Sequence, residues 1–281
     1  MEGLTIGLLS PGEMGAAVGR TLTAHGRRVL TVLADRSPAT AERAHSAGIE
    51  PVGSLEDLVE QAGLILSIVP PGSAVEVADR LAAALSGGGR SPTVVDANAV
   101  SPETAQGIAD RITAAGGVFV DGDIIGGPPG PGRTPTRLYV SGAEAPKVAD
   151  ELRTPELRTV ALVGPPMAAS SLKMAYAAWS KGSMALALSA LALARALDVE
   201  GPLVAEWAES QPDLPERCDR SARVAHRFWR YADEMDEIAR SFAAAGLPDG
   251  AAVAAADVYR RLASLKGRDG VKLAEVMDLL E

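Results

Sequence analysis

Cysteine is nearly absent from this 281-residue chain. Cys218 stands alone, so neither an intrachain disulfide nor a cysteine-based metal site can form. Histidine is scarce too, three in all, and the neighbours of His226 supply no metal-ligand spacing, so no metal is expected. Positive charge is in short supply. The 27 Lys and Arg are outnumbered by 36 Asp and Glu, and a net charge of −9 argues against nucleic-acid or anionic-membrane surfaces. No basic leader or cleavage-site pattern precedes the first apolar run. The longest uncharged apolar run late in the chain, Gly182 to Ala194, has about 13 residues where a bilayer span needs roughly 20. A cytoplasmic protein with a small-molecule substrate, and with no nucleic-acid or membrane partner, is the expectation.

Apolar residues are plentiful, at 47%, enough for two domains with their own cores. Through residue 121, short aliphatic runs (Leu4–Leu9, Val29–Ala34, Leu64–Val69, Thr93–Asp96, Val118–Asp121) alternate with helical stretches. Strand runs without in–out alternation suit a parallel sheet covered on both faces, and the alternation with helices implies right-handed βαβ units. The expected fold class is therefore α/β, with a Rossmann-type doubly wound sheet over residues 1–164. Two further strands are expected near Leu138–Ser141 and Thr159–Val163. After Gly164-Pro165-Pro166 the texture becomes helical, opening with a helix from Ala168 to about Leu197. An all-helical substrate and dimerisation domain, residues 165–281, is expected to include helices at Leu203–Ser210, Arg223–Ala245, Ala251–Leu265 and Leu273–Leu280.

The first strand runs into Ser10-Pro11-Gly12-Glu13-Met14-Gly15, with Gly19 in the following helix. This is a G-x-G-x-x-G fingerprint with serine in the first place. Small residues here let the backbone turn sharply toward a pyrophosphate, which the helix N-terminus then receives. The second strand ends at Asp35-Arg36-Ser37. An acidic residue there favours the ribose hydroxyls of NAD, whereas an arginine with a serine accommodates the extra phosphate of NADP. The cofactor expectation is NADP(H), with NAD(H) as the alternative. Val69, Pro70 and Pro71 end a strand where the nicotinamide site would be floored. Asn98 follows the next strand and offers an amide to cofactor or substrate; Ser101-Pro102 starts the helix after it.

On these residues, with Asp121…Gly126-Gly127 and Lys173 nine residues after Gly164, the chain resembles the β-hydroxyacid dehydrogenase superfamily. That superfamily includes 3-hydroxyisobutyrate and 6-phosphogluconate dehydrogenases and imine reductases. Ala177-Ala178-Trp179, Glu234-Met235 and Ala245-Gly246-Leu247-Pro248 resemble a phosphogluconate-dehydrogenase-like C-terminal subgroup. The resemblance implies a Rossmann domain joined to a helical domain by a long helix, and a homodimer formed around that helix. It also has departures. Asn98 and Ala99 stand where hydroxyisobutyrate-type enzymes carry Ser-Thr, and Ile125 replaces the serine of their Ser-Gly-Gly. Tyr176 and Ala177 replace two asparagines after the lysine. The scaffold and the lysine carry over; the substrate-carboxylate site does not.

Hydride transfer needs a group that moves a proton at the substrate oxygen. Lys173 is the expected general acid/base, with Tyr176 on the same helix face as a relay partner. Asn98, Gly126 and Gly127, with Lys173, are the expected substrate contacts. The reading is thus an NADP(H)-dependent oxidoreductase for a small hydroxyl or carbonyl compound. The alternatives are imine reduction and a catalytically silent dinucleotide-binding protein. Lys181 reads as solvated, Trp179, Trp229 and Met235 as core. The arginines between 217 and 230 read as a salt-bridged helix face.

Overall fold

The computed structural model describes residues 4–281, and the chain divides into two compact units, Met1–Lys173 and Met174–Glu281. The first unit opens with β1 (Thr5–Leu9), α1 (Glu13–Ala24), β2 (Arg28–Val32), α2 (Pro38–Ser46), β3 (Glu50–Val52) and α3 (Leu55–Gln61). It continues with β4 (Leu64–Ser67), α4 (Ala74–Ser86), β5 (Thr93–Asp96), α5 (Pro102–Ala114) and β6 (Val118–Ile125). It closes with β7 (Thr136–Ser141), α6 (Ala145–Leu152), β8 (Leu157–Ala161) and the first residues of α7 (Ala168–Ala196). The sheet order is β3-β2-β1-β4-β5-β6-β7-β8, parallel throughout except for the antiparallel β6–β7 pair. This is the doubly wound order, whose switch point lies between β1 and β4.

The unbroken apolar runs are explained by burial on both sheet faces. Ile6, Leu8, Leu64, Leu66 and Val95 face a layer that includes Val18, Ala44 and Val148 of α1, α2 and α6. Ile65 and Val94 face Leu58, Leu81 and Ile108 of α3, α4 and α5 on the other side. Two elements of this unit escape the periodicity reading. β3 has three residues, one of them Pro51, a residue tolerated because the strand forms the sheet edge. α6 is a short crossover helix starting at Ala145-Pro146.

β6 anchors the start of α7. Asp121 Oδ2 accepts the backbone amides of Ala169 (2.8 Å) and Ser170 (3.2 Å) and the Ser141 hydroxyl (2.7 Å), and the Ser170 hydroxyl donates to Oδ1 at 2.5 Å. A buried carboxylate thus satisfies amides that a helix start leaves open, at the end where the dipole favours negative charge.

The second unit holds the rest of α7, then α8 (Glu200–Ser210), α9 (Leu214–Ala222), α10 (Phe228–Ala244), α11 (Gly250–Arg261) and α12 (Leu273–Asp278). α9 is additional to the sequence reading. The helix expected from Arg223 begins at Phe228, after a 3₁₀ turn over Ala225–Arg227. Its centre is an aromatic cluster, with Phe228, Tyr231 and Tyr259 ring centroids 5.2–5.7 Å apart. Lys181 is not solvated: its Nζ lies 2.7 Å from the buried Glu234 carboxylate and 4.9 Å from the Tyr231 ring centre. Met235 is core, as expected, and Trp229 is half-buried beneath the Lys266 ammonium. Trp179 is not core. It is 72% exposed, in line with Leu186 and Leu193 at seven-residue spacing along α7. By length and composition alone α7 is apolar enough to cross a bilayer, yet its Lys173 and Lys181 are each paired with a buried carboxylate of their own unit.

Candidate active site

The strand C-termini of the first unit bring most of the expected site residues to one edge of the sheet. Gly12 caps α1, a twelve-residue helix that starts directly after a loop of small residues. A Cβ on Gly15 would stand 2.6 Å from the Ser10 carbonyl oxygen, and one on Gly19 would stand 2.5 Å from Ile49 Cδ1. Close approach, first of loop to helix and then of helix to β-layer, is why both are glycine. Ser10 takes a left-handed φ of 65°. That is the conformation the missing first glycine would adopt freely, so the loop keeps its shape at some backbone cost. Pro11 is buried, Met14 packs into the core beside α1, and Glu13 is exposed in the first helical turn.

β2 ends in a turn with Asp35 at φ 60°, and Asp35, Arg36 and Ser37 are all exposed. Ser37 caps α2, its oxygen accepting from Thr40 N at 3.3 Å. A cavity opens here between Ser10, Val32, Ala34, Arg36, Val77 and Arg80. Arg80, on α4, went unread in the sequence because nothing in a helix pattern marks an outward arginine as facing a neighbouring loop. Among the described residues neither Arg36 nor Arg80 makes an ion pair, so two guanidinium groups border one concavity at the end of β2. The helix start, the glycine cradle and this concavity lie together at the C-terminal ends of β1 and β2.

At β4 and β5 the expected ligand amide does structural work. Asn98, 1% exposed, accepts from Val69 N at 2.6 Å and donates to Ser67 Oγ at 3.0 Å and to the Asp96 carboxyl. It thereby holds the Val69-Pro70-Pro71 turn against β5. Asp96 pairs in register with Asp121 of β6, and two residues further along each strand come Asn98 and Asp123. Burial pushes the Asp96 carboxyl well above its ordinary range, and the charges of Asp121 and Asp123 push it further.

Lys173 is the side chain that this arrangement collects. It is 9% exposed, and its Nζ donates to Asp123 Oδ1 and to the Ile124 carbonyl, each at 2.7 Å. Asp123 also accepts from Ile124 N at 2.6 Å. Gly126, at φ 122°, and Gly127 follow directly, and the Thr136 hydroxyl donates to the Gly127 carbonyl at 2.5 Å. A buried lysine Nζ therefore sits at the strand end that leads into the two glycines. Asp123 was missed in the sequence, although an acid two places after Asp121 in an otherwise apolar strand was a readable signal. Tyr176 lies in the second unit and is 47% exposed.

Residues 5–152 match the NAD binding domain of 6-phosphogluconate dehydrogenase, and residues 194–262 match a domain of unknown function (DUF1932). The chain belongs to the β-hydroxyacid dehydrogenase superfamily. It is similar to the mitochondrial 3-hydroxyisobutyrate dehydrogenase of Drosophila melanogaster, 23% identical over 141 residues, and to 3-hydroxyisobutyrate dehydrogenase of Pseudomonas aeruginosa, 28% over 144 residues. Each match covers 50% of this chain but only 42% and 46% of those proteins, so this superfamily member spans less than half the length of the curated relatives it matches. The Mycobacterium tuberculosis 3-hydroxyisobutyrate dehydrogenase, solved with L-serine, superposes with a TM-score of 0.72 over 99% of both chains at 18% identity, which shows a shared fold.

The Asp96 environment makes a stability prediction for this superfamily member. Folding favours the protonated carboxyl, so that contribution is present below its ordinary value of 3.8 and is lost as pH rises through the raised value. Asp96→Asn removes the cost of the charge. Its melting temperature relative to the native protein should rise between pH 4 and pH 8, and an unchanged difference across that range would contradict the assignment.

Proposed function

We propose that this chain is an NADP(H)-dependent oxidoreductase acting on a small hydroxyl or carbonyl compound, with Lys173 as general acid/base. The observation that carries the reading is the buried Lys173 side chain, whose Nζ is held by Asp123 and the Ile124 carbonyl at the end of β6 beside Gly126. When bound, the nicotinamide supplies or accepts the hydride, and the protein must move a proton at the substrate oxygen. Lys173 is the group for that task. Gly126 and Gly127 leave backbone space beside it, and no atom lies within 4 Å of where a Gly127 Cβ would stand. Asn98 frames the crevice and Tyr176 is the candidate relay partner. The substrate differs from hydroxyisobutyrate-type compounds, because Ile125 brings no hydroxyl to the carboxylate position.

The loop from Ser10 to Gly15 holds the pyrophosphate in this reading, and the Val69-Pro70-Pro71 turn floors the nicotinamide. Arg36 and Arg80 favour NADP(H) over NAD(H), since two unpaired guanidinium groups suit a ribose phosphate better than a hydroxyl. The protein is proposed to act in the cytoplasm as a homodimer. Trp179, Leu186 and Leu193, all more than 60% exposed, with Ser183, Ala190 and Leu197 between and after them, form the seam of α7 that a second copy would cover.

Lys173→Ala should keep dinucleotide affinity and lose about 100- to 10,000-fold in turnover, measured on whichever member of a panel of small aldehydes, ketones and alcohols the native protein turns over; near-normal turnover sinks the lysine role. Arg36→Ala should weaken NADPH by roughly tenfold or more while changing NADH little, read by fluorescence titration. Equal losses discard the phosphate assignment. Light scattering should give twice the chain mass of 28.9 kDa, and Leu186→Glu with Leu193→Glu should return a monomer; a native monomer at micromolar concentration rejects the seam.

A further inference from the structure

Resting on the reading of Lys173 as the proton-transferring group, the geometry of β6 carries a statement about direction. Nζ is held by two acceptors from consecutive residues of one strand, and both side chains of the ion pair are buried, at 11% and 1% exposure. We propose that Asp123 is the positioning residue that keeps Lys173 an ammonium ion aimed along the end of β6, so that the site is set to give a proton, for carbonyl reduction, rather than to take one.

The charges around Nζ support this assignment. Asp121, on the same strand, is held by the first amides of α7 and by the hydroxyls of Ser141 and Ser170, which donate to its two oxygens. Asp96, on β5, is the acid pushed toward its protonated form, by burial first and then by the charges of Asp121 and Asp123. Asp123 is the carboxylate in direct contact with Lys173 Nζ, at 2.7 Å. Along α7 itself the neighbours one turn away are Ala169, Ser170, Tyr176 and Ala177, none of them a second ion. An opposite charge in contact favours the charged form, and burial without it would favour the neutral amine. The pair thus offsets the desolvation that would otherwise strip the proton.

The reductive step then balances. A bound dihydronicotinamide would supply the hydride to the substrate carbon and be oxidised by it, while Lys173 Nζ would give its proton to the oxygen that takes the displaced π pair. Lys173 is left as a neutral amine and regains its proton from water. In the reverse direction Lys173 would first have to lose a proton against the Asp123 charge.

The test reads the lysine itself, in protein without cofactor. Lysine labelled with ¹³C at Cε gives a Lys173 signal, assigned by its absence from Lys173→Arg, whose midpoint is followed by NMR against pH. Asp123→Asn and Asp123→Ser should each lower that midpoint by about one unit or more, while Asp123→Glu keeps it high. Melting curves show which neutral variant is folded, and either one suffices. A midpoint unchanged or raised without the carboxylate overturns the proposal. Retained turnover in Lys173→Ala would instead remove the catalytic role of the lysine, a failure distinct from that of the charge pairing.

Discussion

Two buried carboxylates on β6 are what the rest of the site depends on. Asp121 takes the amides of the α7 start, and Asp123, two residues on and on the same side of the strand, takes Lys173 Nζ one turn further along that helix. Either group alone would be a costly burial of charge. Together with their partners they fix both the position and the direction of the first turns of α7. The raised Asp96 carboxyl on the neighbouring strand follows from the same crowding: three acids share one buried edge, and burial with the charges of Asp121 and Asp123 pushes Asp96 upward.

The cofactor end of the sheet obeys a different constraint, that of close approach. Gly15 has no room for a Cβ against the Ser10 carbonyl, Gly19 packs against the end of the Ile49 side chain, and Ser10 adopts a left-handed conformation where a glycine would be expected. The loop shape is therefore retained although its sequence signature is incomplete. Arg36 and Arg80 come to the same concavity from a strand end and from the outer face of α4, which gives the proposed preference for NADP(H) a source in two elements rather than one.

Much of this was readable in the residues. The unbroken aliphatic strands, the Ser10–Gly15 loop and the length of α7 all correspond to observed features, because burial on both faces and helix propensity leave local marks. Other elements leave weak marks. β3 is three residues of edge strand, α6 is one short crossover, and α9 lies inside a polar stretch whose punctuation masks it. Trp179 was read as core because tryptophan usually is, yet it stands out from α7 in line with Leu186 and Leu193. Lys181 was read as solvated and is instead paired with Glu234 from α10.

What the sequence by itself determined is the sheet, its covering helices, the tight Ser10–Gly15 loop and the candidacy of Lys173, since each of these is written in spacing along one stretch of chain. Only the tertiary structure decided what the polar groups do. Asn98 is spent on Val69, Ser67 and Asp96; Asp121 caps a helix 48 residues away; Asp123 meets a lysine 50 residues away; Arg80 joins Arg36 across a cavity. A hydrogen bond or ion pair needs its partner within about 3 Å, and sequence spacing holds no record of which distant residues the sheet order brings that close.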